Sequence, residues 1–164
     1  MKIYKNSLDN MAKIMTIFTS IGLIGMVTMT FFLQNLSAGV IGAIALGLLL
    51  TIVLPLFYYP RFYVIDENGL TIKRFVGDLK IAKSEIKQVI IDKDKTTSGA
   101  IRVFGSGGFF GYFGRFRNSQ LKTFYMYCTR LDKMVLIWTD KKLIVVSPDE
   151  VQNFTDDLDK MIKA

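Results

Sequence analysis

Two stretches, Ile14 to Leu33 (IMTIFTSIGLIGMVTMTFFL) and Val40 to Tyr59 (VIGAIALGLLLTIVLPLFYY), each run for twenty residues without a charged side chain. A helix rising about 1.5 Å per residue needs roughly twenty apolar residues to cross a hydrocarbon core about 30 Å thick, so each run has the length of a span. A core helix of a soluble protein would carry a polar stripe, and these runs are apolar all round. Lys2, Lys5 and Lys13 could serve as the basic front of a secretory signal. Against that, the apolar part exceeds the usual length of about 7 to 15 residues, and Leu36, Ser37 and Ala38 make a poor cleavage site. The expectation is a transmembrane helical hairpin over residues 14–59.

Charge orients the hairpin. The basic N-terminal segment, residues 1–13, has three Lys and one Asp; the connection Gln34 to Gly39 has no charge; and Arg61, Lys73 and Arg74 follow the second span. By the positive-inside rule both ends lie on the cytoplasmic side of the inner membrane. Phe57, Tyr58, Tyr59, Phe62 and Tyr63 fall where an inner aromatic belt is expected, and Phe31 and Phe32 where an outer one is. With no ionisable residue inside either span, the hairpin is an anchor and not an ion or proton pathway. Gly22 and Gly25 in the first span, and Gly39, Gly42, Ala43 and Gly47 in the second, permit close helix approach, either between the spans or between copies of the chain. Pro55 removes a helix hydrogen bond near the end of span two.

Residues 61–164 suffice for one domain with its own core. They carry 18 Lys and Arg against 13 Asp and Glu, and the whole chain has a formal charge of +7. On a tethered domain such charge is drawn to anionic headgroups, at about 1 kcal/mol per basic residue near the surface. A single cysteine, Cys128, allows no internal disulfide, and the chain has no histidine, which removes the commonest general base and metal ligand. No catalytic, cofactor-binding or metal-binding constellation emerges.

Short β-rich runs then follow: 61–65, 70–75, 79–81, 86–92, 100–104, 123–130, 134–139 and 143–146. Asp66, Glu67, Asn68 and Gly69 supply a hairpin turn, and 92–99 reads as a polar loop. Ser147, Pro148, Asp149 and Glu150 fit a capping box ahead of Val151, Phe154, Leu158, Met161 and Ile162 at helical spacing. The fold class expected is an α+β membrane protein. It has an N-terminal transmembrane hairpin, then an antiparallel β-sandwich or barrel of about seven strands, capped by a C-terminal amphipathic helix.

That architecture resembles the pleckstrin-homology (PH) superfold. More specifically, Gly77-Asp78, Gly99 through Gly105, Gly108 through Phe116, Tyr127 through Arg130 and Ser147-Pro148-Asp149 resemble the bacterial PH domain family in its membrane-anchored form with two spans. The resemblance implies a binding or scaffolding module with no established enzymatic activity. Eukaryotic PH domains that bind phosphoinositides use basic residues around the first hairpin. Here that hairpin holds Asp66 and Glu67, and adjacent Lys73 and Arg74 point to opposite faces of a strand.

The run from Gly105 to Gly114 interleaves glycines with Phe109, Phe110, Tyr112 and Phe113, flanked by Arg102, Arg115 and Arg117. It matches neither the dinucleotide fingerprint nor a P-loop. Three readings stand: the aromatics complete the domain core; Phe109, Phe110 and Tyr112 meet the bilayer interface with Arg115 and Arg117 at phosphates; or the segment recognises a partner peptide. The partners expected are the lipid bilayer, its anionic headgroups, and a protein partner or second copy. Nucleic acid is not expected, because acids are interspersed with the basic residues. A tethered nucleic-acid-binding domain and an enzyme without recognisable motifs are the alternatives. Cys128 is expected as a buried small hydrophobe.

Overall fold

The computed structural model describes residues 1–30, 32 and 37–163. Phe31 and the stretch from Leu33 to Leu36, including the first half of the expected connection, lie outside the described residues. The elements in chain order are β1 (Lys2–Lys5), α1 (Asn10–Thr30), α2 (Ala38–Tyr58), β2 (Phe62–Asp66), β3 (Gly69–Lys73), β4 (Leu79–Ala82) and a 3-10 turn (Lys83–Glu85). They continue with β5 (Ile86–Ile91), β6 (Ile101–Gly108), β7 (Gly111–Asn118), β8 (Lys122–Cys128), β9 (Val135–Thr139), β10 (Leu143–Val146) and α3 (Val151–Lys163).

Helices α1 and α2 are long and apolar enough to cross a membrane. Among the described residues only Ala12 and Thr30 of α1 are buried, and none of α2 is. The hydroxyls of Thr16 and Thr51 donate to the carbonyls of Ala12 and Gly47, at 2.6 and 2.9 Å, so these polar groups need no partner outside their helix. α1 starts before the charge-free run because the Asp9 carboxylate caps it, accepting the Ala12 N–H at 2.7 Å. Gly22, Gly25, Gly39, Gly42 and Gly47 all face open space, so the two spans do not use these glycines to approach each other.

Residues 2–5, expected in a basic N-terminal segment, form β1 and pair antiparallel with β2, Tyr4 facing Tyr63. The helical hairpin therefore leaves the sheet after its first strand and returns to it at the second. Tyr4 is drawn in by the core: its ring meets Phe154 edge to face at 5.2 Å. The link to α1 is pinned as well. Asp149 Oδ1 accepts from the Ser7 N–H and hydroxyl at 3.0 and 2.7 Å, Thr129 Oγ1 donates to Ser7 O at 2.9 Å, and Asp9 Oδ2 accepts the Leu131 N–H at 3.1 Å. The two apolar helices and the β domain are joined by structured chain and not by a loose linker.

Two sheets pack as a sandwich and do not close into a barrel. One has the order β1-β2-β3-β4, the other β5-β9-β10-β8-β7-β6. One pairing departs from the expected antiparallel pattern, since β10 runs parallel to β8. Tyr63, Leu70, Ile72, Val135, Ile137, Ile144, Val146, Phe154 and Leu158 fill the space between sheets and α3. The apolar face of α3 is the one its periodicity predicts. Its start is not: Ser147 spends its hydroxyl accepting the Thr129 N–H at 2.8 Å, and the helix begins at Val151, beyond Pro148.

The glycine and aromatic run is not an irregular loop. It forms the hairpin β6–β7, with Phe109 and Phe110 at its turn and Gly105 opposite Gly114. Both glycines have left-handed φ, +110° and +118°, and a Cβ on either would stand 2.1 or 2.2 Å from a carbonyl oxygen of the other strand. Only glycine lets the two backbones approach this closely.

Candidate functional site

Side chains alternate across β7 and β8, and the two faces have different fates. Tyr112 and Phe116, with Phe124, Met126 and Cys128, join a second buried cluster that includes Ala12 of α1. Phe113, Arg115, Tyr125 and Tyr127 point the other way and line a common space. Here Thr51, Leu54, Pro55 and Tyr58 of α2 form a wall, and the space between is a cleft of about 1030 Å³.

Arg74, after β3, and Arg115, on β7, turn to the cleft; Arg102 of β6 borders it, but lies opposite Phe116 in the ladder, so its side chain runs over the other face of the sheet. Among the described residues no Asp or Glu lines the cleft. Among the described residues none of the three takes part in an ion pair; the nearby Asp78 carboxylate pairs instead with Lys73 at 2.6 Å. The Arg74 guanidinium sits 5.9 Å from the Tyr58 ring and 5.8 Å from the Tyr127 ring. Its Nη2 donates to Gly77 O, while its Nε is buried without a hydrogen-bond partner. Burial raises the pKa of the Tyr127 phenol, and the Arg74 charge opposes that shift. Arg102 lies across the bare face of Gly107, where a Cβ would meet its Nη1 at 3.5 Å.

The tip of the β6–β7 hairpin rests against both helices. The Phe110 N–H donates to Thr16 Oγ1 of α1 at 2.9 Å, and the Phe110 ring lies 6.2 Å from Tyr59, just past α2. Tyr59 in turn lies 6.3 Å from Phe75, over which the Arg61 guanidinium sits at 4.2 Å. Phe104, on the rim of the cleft, is 76% exposed.

The five residues singled out from the sequence are thus divided. Phe109 and Arg115 line the cleft, and Phe110 braces the hairpin against the helices. Tyr112 faces the opposite, buried side, where desolvation first and the Asp9 carboxylate second push its phenol up to about 12. Arg117 is exposed on the cleft face of β7 but beyond its lining. Arg74 was missed, because adjacent basic residues after a strand read as surface; its burial depends on Tyr58 and Tyr127, which are distant in sequence. Cys128 is fully buried, with its thiol pushed up to about 12 by burial.

The first hairpin offers no comparable cradle. The Asp66 carboxylate occupies its turn, accepting the Asn68 and Gly69 N–H groups at 2.9 and 3.2 Å. Among the described residues no cluster of three or more His, Cys, Asp or Glu gathers as a metal site.

A sandwich of two sheets closed by a C-terminal helix, with a cationic cleft on one face, defines a PH-like module. The chain belongs to the bacterial PH domain family, whose model matches residues 61–162. Neither the curated proteins nor the solved structures give a match. Membership points to a binding or scaffolding module.

Proposed function

We propose that the chain is an integral membrane protein that displays its PH-like binding module on the cytoplasmic face, with the β6–β7 hairpin resting in the bilayer interface. The bond from the Phe110 N–H to Thr16 Oγ1 carries this reading. Thr16 lies six residues into α1, about 9 Å along the helix at 1.5 Å per residue, so the hairpin rises beside the helices to the level where headgroups meet acyl chains. Exposed Phe104 and half-buried Phe109 suit that level, as do the arginines beside them. The pairing of β1 with β2 holds the two ends of the helical hairpin together, which supports an even number of crossings. The Lys and Arg distribution favours the cytoplasm for both ends. The module is read as a binder and not a catalyst.

Alkaline extraction of membranes tests the anchor. The chain is expected to stay with the lipid and to require detergent for release; release by alkali or high salt alone would refute the reading.

A further inference from the structure

We propose that the cleft between α2 and strands β6 to β8 holds one phospholipid of net negative charge, its phosphate at Arg74 and Arg115 and an acyl chain along Leu54 and Thr51. The proposal rests on the reading that α2 crosses the bilayer, and adds to it a specific site and ligand.

Charge and shape select this occupant. Two arginines without ion-pair partners, Arg74 and Arg115, turn to the cleft, and the partnerless Nε of Arg74 is a donor left for an incoming oxygen. A free phosphate would satisfy these donors, yet it would leave the apolar remainder, Leu54, Pro55, Phe104 and Phe109, facing an empty groove. A lipid fills both parts. Its phosphate reaches the arginines from the interface while its chain remains beside the spanning helix that forms the wall. A zwitterionic lipid fits less well, because no carboxylate lines the cleft to receive an ammonium group. The site lies at the open end of the first hairpin, beside Arg74, and not at its turn, which is filled by Asp66. Tyr58 and Tyr127 hold the Arg74 guanidinium between their rings, so less side-chain freedom is lost when the anion arrives.

The test uses the full chain in non-ionic detergent and two short-chain fluorescent probes, a phosphatidylglycerol and a phosphatidylcholine, followed by fluorescence anisotropy. The phosphatidylglycerol probe is expected to bind saturably and about tenfold or more tighter than the phosphatidylcholine probe, since both carry the phosphate but only phosphatidylcholine brings a quaternary ammonium beside the arginines. The double variant Arg74→Gln, Arg115→Gln should lose that preference, and Arg102→Gln, on the opposite face, should keep it. Phe104→Glu, at an exposed position that does not support the core, should weaken the anionic probe while leaving the melting temperature unchanged. Inorganic phosphate should not compete.

Equal binding of both probes by the native chain, or an unchanged preference in Phe104→Glu, overturns the proposal. Competition by inorganic phosphate also overturns it, in favour of a free-anion site. A label at position 109, read in vesicles with the double variant, separates the two levels. If the label stays in the interface while the preference is lost, both readings hold; if it is in water in the native chain too, the interfacial reading fails independently of the probe result.

Discussion

Tyr4 and Phe154 meet edge to face, ring centroids 5.2 Å apart at 86°, joining the strand before α1 to the C-terminal helix α3. The Tyr4 hydroxyl also donates to Asp157, whose carboxylate pairs with Lys2 at 2.7 Å. The sandwich is therefore completed by residues on the far side of the helical hairpin in sequence. Tyr4→Ala should lower stability by about 3 kcal/mol through loss of a buried ring, and Tyr4→Phe by about 1 kcal/mol through loss of the hydrogen bond alone. Thermal unfolding in detergent, read by circular dichroism, measures both. Equal melting temperatures for Tyr4→Ala and the native chain would remove β1 from the domain.

Gly105 and Gly114 should tolerate no side chain. Alanine at either position places a methyl group against a carbonyl oxygen at a left-handed φ, so each variant should lose more than about 1 kcal/mol. Because both glycines lie in one strand pair, the effects should not add, and the double variant measured in the same melt checks this.

Asp92 organises the segment read from sequence as a polar loop. Burial raises its pKa, but hydrogen bonds from the hydroxyls and N–H groups of Thr96 and Thr97, at 2.6 to 3.2 Å, outweigh burial and hold it below the usual range. A depressed folded-state pKa gives stability that is present above the unfolded value of about 3.9 and lost as pH falls through the folded value. The native melting temperature should therefore drop on acidification below about pH 4. Asp92→Asn should be less stable at neutral pH and show a smaller acid-side drop; parallel acid slopes would contradict this.

Cys128 should be silent to maleimide in the folded chain at neutral pH, because it is fully buried and its thiol is pushed up to about 12. Intact mass should show no adduct before denaturant and one after it. The native cysteine then leaves the chain free for single-site labelling elsewhere.

The two apolar helices and α3 were legible because their signals are local: unbroken apolarity in one case and a 3.6-residue period in the other. β1 was not, since four residues, Lys2 to Lys5, are too few for a period to show. Their pairing partner also lies some sixty residues on, beyond both helices. β7 was hidden for a different reason. Glycine weakens strand propensity, and Gly111 and Gly114 read as bends until their partners Gly108 and Gly105 are seen opposite them. Within the candidate site, the arginines of the glycine and aromatic run stood out by composition. The division of that run into a core face holding Tyr112 and a cleft face holding Arg115 follows from strand alternation, which a loop reading does not supply. Arg74 could be placed only once α2 and β8 brought Tyr58 and Tyr127 to it.

The depth of Phe109 in a bilayer tests the central claim most directly. Phe109→Cys and Glu67→Cys, each carrying an environment-sensitive dye, are placed in vesicles with lipid-attached quenchers. Glu67 serves as the reference because the β2–β3 turn lies about 20 Å along the strand from Arg61, at roughly 3.3 Å per residue. The account predicts strong quenching at 109 by quenchers near the headgroup and almost none at 67. Equal, weak quenching at both positions would show that the hairpin stands in water and would contradict it.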